Sequence, residues 1–331
     1  MGRLSIRATA MNTYTLQLEN DQLHNITPFI KFCRDHEHTD IKLIVNQESH
    51  CLQFCGVYAI LDLFTFTSVT IVTANAVECH DRYRIVINWA YWLKQSRKFK
   101  TSNDYTWNQT KIFGCFYGRP SAPRIGIAGH LAQHYNDKSL LQLRFNTDSE
   151  DTRKLVDIQK LFAWDITGAA KLDQLVQNKE QYFQPIPAYE YTTGSYDYNS
   201  DLNNLYKNIF VDIVVEATTL GNTFYPTEKI ARAILCRKPF IVMASKFYLG
   251  YLKQIGFKTF DEYWPELYDN ADGKARYLAI LELIDRLAKL STAELVELNI
   301  KMKHTIEYNR QLLIAQQYNK QVTRIIPHYE N

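Results

Sequence analysis

Apolar positions along this chain come in short blocks separated by polar turns, and the block lengths suit strands alternating with helices rather than a helical bundle. Ile41–Val45, Val69–Thr73 and Arg84–Asn88 each have the β-branched composition of a strand, and residues 55–65 read as helical or irregular. Ile112–Tyr117 predicts a further strand, Gly118–Pro123 a turn, residues 123–135 a helix, and Leu140–Phe145 the next strand. A helix is expected from about 151 to 162, and the Tyr-rich polar stretch 182–201 reads as an exposed loop. Phe210–Thr218 is an apolar run of strand length that includes the carboxylate of Glu216 near its end. The loop Thr219–Phe224 then leads to a helix opening at Pro226, and Pro239–Val242 predicts a buried strand. Helices near 247–255 and 274–290 follow. A last long helix opens on the capping box Ser291-Thr292-Ala293-Glu294 and is expected to run past 315. No internal repeat is visible.

The pattern therefore predicts an α/β protein. A chain of 331 residues with 46% hydrophobic content is long enough for two domains and too apolar for disorder. The segment 94–108, rich in Lys, Arg, Ser and Asn, reads as the linker between them. Residues 1–10 read as a leader, with Met11 as an alternative start, and residues 1–20 as a leader or edge segment. The formal net charge of +3 calls for neither a nucleic-acid nor an anionic-membrane partner. The apolar stretches are too short or too interrupted to span a bilayer, so a soluble, cytoplasmic protein is expected.

Chemistry concentrates after the strand at 210–218. Strand, loop, helix and strand make a βαβ unit, and ligands of such sheets sit beyond the carboxyl ends of the strands. Pro226 suits a first helical position, Glu228 favours the positive end of the helix dipole, and Lys229 adds a full charge where backbone N–H groups point outward. Such a turn is suited to a diphosphate, with Glu216 and Glu228 flanking one crevice. An acid followed by a lysine is also common on ordinary surface helices.

Glu216, Thr227-Glu228-Lys229, Pro239-Phe240-Ile241, Gly256-Phe257-Lys258-Thr259-Phe260 and Glu266-Leu267-Tyr268-Asp269 together resemble the donor half of fucosyltransferase-like glycosyltransferases, especially those of phage and viral genomes. The resemblance covers roughly residues 40–310 and is strongest over 210–270. It implies a GT-B-like fold of two Rossmann-like domains facing a cleft: an acceptor-side domain over 21–105 and a nucleotide-sugar domain over 106–305. A C-terminal helix over 306–331 would be able to cross back to the first domain. It also implies that Thr227, Glu228 and Lys229, with Glu216, hold the ribose and diphosphate of a nucleoside-diphosphate sugar, GDP-fucose-like or otherwise. Met243-Ala244-Ser245 departs from the glycine that related phage sequences tend to place after the apolar strand.

Arg119 and Arg124 lie on a Gly-Pro turn and the helix after it, and a guanidinium fork matches phosphate oxygens bidentately. The resemblance implies an arginine here on the donor phosphates, and Arg124 fits that position better than Arg119. Inverting transfer needs a base for the acceptor hydroxyl and a counter-charge for the leaving diphosphate. Glu48, just past the strand Ile41–Val45, looks like the strand-to-loop glutamate that serves as base in fucosyltransferases, with Asp62, Glu78 and Asp81 in reserve and His50 and His80 at strand exits. Lys229, Arg124 and the helix N-terminus would supply the counter-charge. The chain has no Asp-x-Asp pair, in keeping with leaving-group stabilisation that needs no metal or other cofactor.

Other features carry less. The six cysteines are scattered; Cys51 and Cys55 beside His50 lack a matching second pair for a metal and read as reduced and structural. Asn25-Ile26-Thr27 and Asn108-Gln109-Thr110 fit the glycosylation pattern without a secretory signal to give it meaning. The tyrosines of 182–201 suit either surface packing or a lid over a donor or acceptor. Lys94, Arg97, Lys98 and Lys100 suit a solvated linker, or a nucleic-acid backbone. Two rival readings follow: a viral transferase that glycosylates DNA bases, and a non-catalytic nucleotide-binding protein of the same fold.

Overall fold

A computed structural model describes residues 11–19, 22–45, 50–88, 106–117, 121–143 and 205–316. The protein is α/β, with two sheets of parallel strands. The chain divides into two compact units, each described by itself below. The first takes the chain up to Ala90 and takes back Leu220–Tyr225; the second takes Tyr91–Thr219 and Pro226–Ile326.

In the first unit, β1 (Asn12–Leu16), β4 (Asp40–Val45), β5 (Ser68–Thr73) and β6 (Arg84–Ile87) form a parallel sheet in that spatial order. A small antiparallel pair, β2 (Leu18–Glu19) and β3 (Gln22–Leu23), leads into α1 (Ile26–Asp35). β4 and β5 bury every second side chain, with Ile41, Leu43 and Val45 beside Val69 and Ile71, so one face carries the core. That face is covered by Phe29 and Cys33 of α1 and by Val57, Tyr58 and Leu61 of α2 (Val57–Leu61). The parallel register pairs Asn12 with Ile41 and Ile41 with Val69. Residues 12–16, which the sequence leaves in the leader or edge segment, thus form an edge strand.

In the second unit, β7 (Phe113–Tyr117), β8 (Ser139–Leu143), β9 (Val211–Val215) and β10 (Phe240–Met243) are all parallel, in the spatial order β10-β9-β7-β8. β7, β9 and β10 are buried at every residue, as befits a parallel sheet covered on both faces. The described helices are α3 (Ala122–His134), α4 (Glu228–Leu235), α5 (Tyr248–Gln254), α6 (Gly273–Ala288) and α7 (Thr292–Gln316). α6 buries Tyr277, Ile280, Leu283, Ile284 and Leu287, a stripe at helical spacing. α7 starts on the expected capping box: the Ser291 N–H donates to Glu294 Oε2 at 2.8 Å and the Glu294 N–H donates back to Ser291 Oγ at 3.3 Å. Its described length is tied to the second unit, with Asn309 bonded to both backbone groups of Lys258 and Glu307 paired with Arg237.

Two expectations change. α4 opens at Glu228 with Thr227 as its cap, so Pro226 precedes the cap instead of filling the first helical position. The cause is Thr227 itself, which is extended and whose Oγ1 accepts the Lys229 N–H at 3.3 Å. The end of the expected linker is packed: Trp107 is buried, 5.2 Å from the Phe210 ring, with its indole N–H on the Lys111 carbonyl. α1 accommodates Pro28 in its first turn, where no helical N–H is needed. The expected helix at 151–162, the Tyr-rich loop and the basic run 94–100 lie outside the described residues.

Candidate functional site

The order of strands in the second unit places a switch point between β7 and β9. β7 passes through α3 to β8 on one side, and the chain later returns to lay β9 and then β10 on the other. Crevices of doubly wound sheets open at the carboxyl ends of such strands. Here the ladder between β7 and β9 pairs Phe113 with Val211 and Gly114 with Asp212, at the amino ends. Gly114 permits that approach, since a Cβ there would lie 2.3 Å from Ile209 Cδ1.

Glu216 follows directly on β9 and is 2% exposed. Its carboxylate faces inward: Oε1 accepts the Thr227 N–H at 3.1 Å and the Tyr248 hydroxyl at 2.9 Å, while Oε2 accepts the Thr227 hydroxyl. Burial pushes its pKa up, and the Lys229 charge and the Thr227 bonds act in the opposite direction. Glu216, expected to touch the donor, therefore lies one layer beneath the turn and organises it. Thr227 accepts the backbone N–H of Lys229 and, at 3.2 Å, its Nζ.

The accessible part of the turn is the pair Glu228 and Lys229. Their side chains are 21% and 18% exposed, and Nζ lies 2.9 Å from Glu228 Oε1. Burial opposes charge on Glu228, yet the adjacent Lys229 ammonium and then the Arg232 guanidinium hold its pKa down to about 2. The turn thus presents a fixed carboxylate, a tethered ammonium and the positive end of a helix. An ammonium shared with one carboxylate can be drawn toward a more highly charged anion, so this corner can exchange an internal ion pair for a diphosphate.

Arg124, on α3, directs Nη2 to the carbonyls of Val215 at 3.1 Å and Glu216 at 3.4 Å. It is 8% exposed. Its visible work is to satisfy the carboxyl end of β9 and hold Glu216 in place, where the sequence suggests phosphate contact. The structure thus brings Arg124, Glu216, Thr227, Glu228 and Lys229 together. Glu48 and Arg119 lie outside the described residues.

Tyr248 is the member that sequence reasoning missed. The signal was faint, a tyrosine opening a short helix after β10. Its placement is set by Asp269, whose carboxylate accepts the N–H groups of Leu249 at 2.9 Å and Gly250 at 3.0 Å. Asp269 is in turn held by Arg276, which is 0% exposed and also binds the carbonyls of Val242 and Ser245.

In the first unit, Glu78 follows β5 and accepts from Tyr58 Oη at 2.7 Å, Asn75 Nδ2 at 3.0 Å and the Leu52 N–H at 3.1 Å. Burial raises its pKa against those three bonds. Asp62 accepts from Arg82 and from the Tyr83 hydroxyl, both at 2.7 Å. His80 is stacked on Tyr83 at 4.4 Å. Among the described residues there is no cluster of three or more His, Cys, Asp or Glu side chains able to hold a metal, and none of the six cysteines forms a disulfide. No described helix is long and apolar enough to cross a membrane. Comparison with protein-family models and with curated proteins finds no match to this chain.

Proposed function

We propose that the protein is a glycosyltransferase of GT-B type that takes its sugar from a nucleoside-diphosphate donor and inverts the anomeric centre. The observation that carries this reading is the turn Thr227-Glu228-Lys229: an ammonium tethered at a capped helix N-terminus, beyond the carboxyl end of β9 and beside a switch point. In this reading the diphosphate takes the Lys229 ammonium at the positive end of the α4 dipole, and Glu228 accepts from the ribose hydroxyls. Arg124 and Glu216 support the turn from below.

The acceptor hydroxyl oxygen forms the new bond to the anomeric carbon while the bond from that carbon to the diphosphate oxygen breaks. The electron pair leaves with the nucleoside diphosphate, whose extra charge Lys229 and the α4 dipole offset. The hydroxyl proton passes to a carboxylate, assigned to Glu48 on the strength of the family resemblance. The partners are then a nucleotide sugar and a glycan or other hydroxyl acceptor, with no metal required.

The deciding experiment is a thermal-shift and calorimetric panel of GDP, UDP, CMP and dTDP sugars on the parent and on Lys229→Ala. One nucleotide should raise the melting temperature of the parent, and Lys229→Ala should lose at least about tenfold in affinity, the worth of one charge-assisted contact. A parent that responds to no nucleotide at millimolar concentration removes the reading.

A further inference from the structure

We propose that Tyr248 is a positioning residue that sets where the Lys229 charge is presented, acting through Glu216 and Thr227. The affinity part of this inference rests on the diphosphate reading above; the geometric part does not. A hydroxyl has one proton and two lone pairs. Thr227 uses all of them: its proton goes to Glu216 Oε2, and its oxygen accepts both the backbone N–H and the Nζ of Lys229. The Thr227 hydroxyl, together with Glu228 Oε1 at 2.9 Å, therefore sets where the ammonium lies, and the Glu216 carboxylate orients the hydroxyl.

Nothing in a glutamate side chain locks its own carboxylate, because the terminal torsion is broad and nearly two-fold. Its orientation comes from its partners. Two of the three donors to Glu216 belong to Thr227, the residue being oriented, so the independent reference is the Tyr248 hydroxyl on Oε1. Tyr248 qualifies as a reference because its helix is pinned from the core. Asp269 holds the next two N–H groups of α5, and the buried Arg276 holds Asp269. The charged groups that act on Glu216 are Lys229 and Glu228, and Arg124 binds its backbone carbonyl, so none of these replaces the tyrosine hydroxyl on Oε1.

The test is Tyr248→Phe, which removes one oxygen and keeps the ring, with Glu216→Gln as a second variant that keeps the shape and changes the acceptor. Hydrogen exchange is followed at the Lys229 amide, and at Leu249 and Gly250 as a check that α5 stays on Asp269. Loss of one oriented hydrogen bond predicts about tenfold faster exchange at Lys229, with Leu249 and Gly250 unchanged. Unchanged protection at Lys229 in both variants overturns the proposal, whatever the protein binds. In parallel, GDP and guanosine are titrated by calorimetry against parent and variants. A loss of about tenfold for GDP with guanosine unaffected is the expected split, since only the diphosphate meets Lys229. An equal loss for both ligands assigns Tyr248 a general structural role and overturns the positioning one. A parent that binds neither ligand removes a guanosine donor, not a nucleoside-diphosphate donor in general, and leaves the exchange result to decide this inference.

Discussion

The Tyr206 hydroxyl donates to Asp212 Oδ2 at 2.7 Å in the interior of the second unit, making a carboxylate at the second residue of β9 part of the core. Burial pushes the Asp212 pKa up to about 7, against the opposing pull of the Tyr206 bond and the charges of Arg232 and Lys238. The unfolded chain releases this proton near 3.8 and the folded one near 7. Between those values the folded state binds more protons, so the contribution of Asp212 to stability falls as pH rises through that window and is flat above it. Melting of the parent and of Asp212→Asn, compared from pH 4 to 8, should show the parent losing ground to the variant up to about pH 7. A difference that does not vary with pH would refute the assignment.

Thr227→Val keeps the branched shape and removes the hydroxyl that caps α4. The Lys229 N–H then loses its acceptor, and Glu216 loses one of its three donors. The expected cost is about 1–2 kcal/mol by denaturant unfolding, the upper part of the usual range for a cap because a buried carboxylate is also affected. Serine at the same position should restore most of it. If valine and serine behave alike, the cap geometry is not what stabilises the turn.

Asn75 is 0% exposed and its amide is fully engaged within the first unit. Oδ1 accepts Phe224 N–H at 2.9 Å and Val77 N–H at 3.3 Å; Nδ2 donates to Asn222 O and Glu78 Oε2, both at 3.0 Å. Asn75→Asp keeps the shape but sets a second carboxylate against Glu78 and an acceptor against the Asn222 carbonyl. Destabilisation by about 1–3 kcal/mol is expected, with faster amide exchange at Phe224. Adding Glu78→Gln should recover part of the loss, and a double-mutant cycle with no coupling would show that the two side chains do not interact.

Gly114→Ala tests the close approach at the amino ends of β7 and β9. The new methyl would meet Ile209 Cδ1 at 2.3 Å and the Phe116 ring at 2.9 Å, in a buried setting where neither neighbour can swing to solvent. A loss of about 1–3 kcal/mol is expected, relieved in part by Ile209→Val, which deletes the clashing carbon. Equal melting temperatures for Gly114→Ala and the parent would mean that the strands shift apart without cost.

Strands with a clear apolar signature were readable from the residues alone. β4, β5, β7, β9 and β10 fall where Ile41–Val45, Val69–Thr73, Ile112–Tyr117, Phe210–Thr218 and Pro239–Val242 predict them. The capping box of α7 was equally legible, because a serine and a glutamate three residues apart act locally. β1 was not, since Asn12-Thr13-Tyr14-Thr15-Leu16 has too few apolar residues to signal a strand until β4 lies beside it. At the site, the cap and the pair Glu228 and Lys229 are neighbours in sequence and could be inferred as a group. The inward turn of Glu216 depends on Tyr248, thirty-two positions away, and the placement of Arg124 on the carbonyls of Val215 and Glu216 depends on partners more distant still. Short-range spacing carries no trace of either.

The return of Leu220–Tyr225 to the first unit has a practical consequence for dissecting this chain. Phe224 is 0% exposed there, its N–H and C=O are both paired with the Asn75–Ala76 segment, and Gly221 rests against Cys51 where a larger residue would collide. A fragment cut after position 90 would leave that berth vacant, and its partner fragment would carry a hexapeptide whose Leu220, Phe224 and Tyr225 have nowhere to dock. Dividing the gene at the obvious boundary should therefore yield two sticky halves, whereas a graft of residues 220–225 onto the shorter piece offers a route to a well-behaved one.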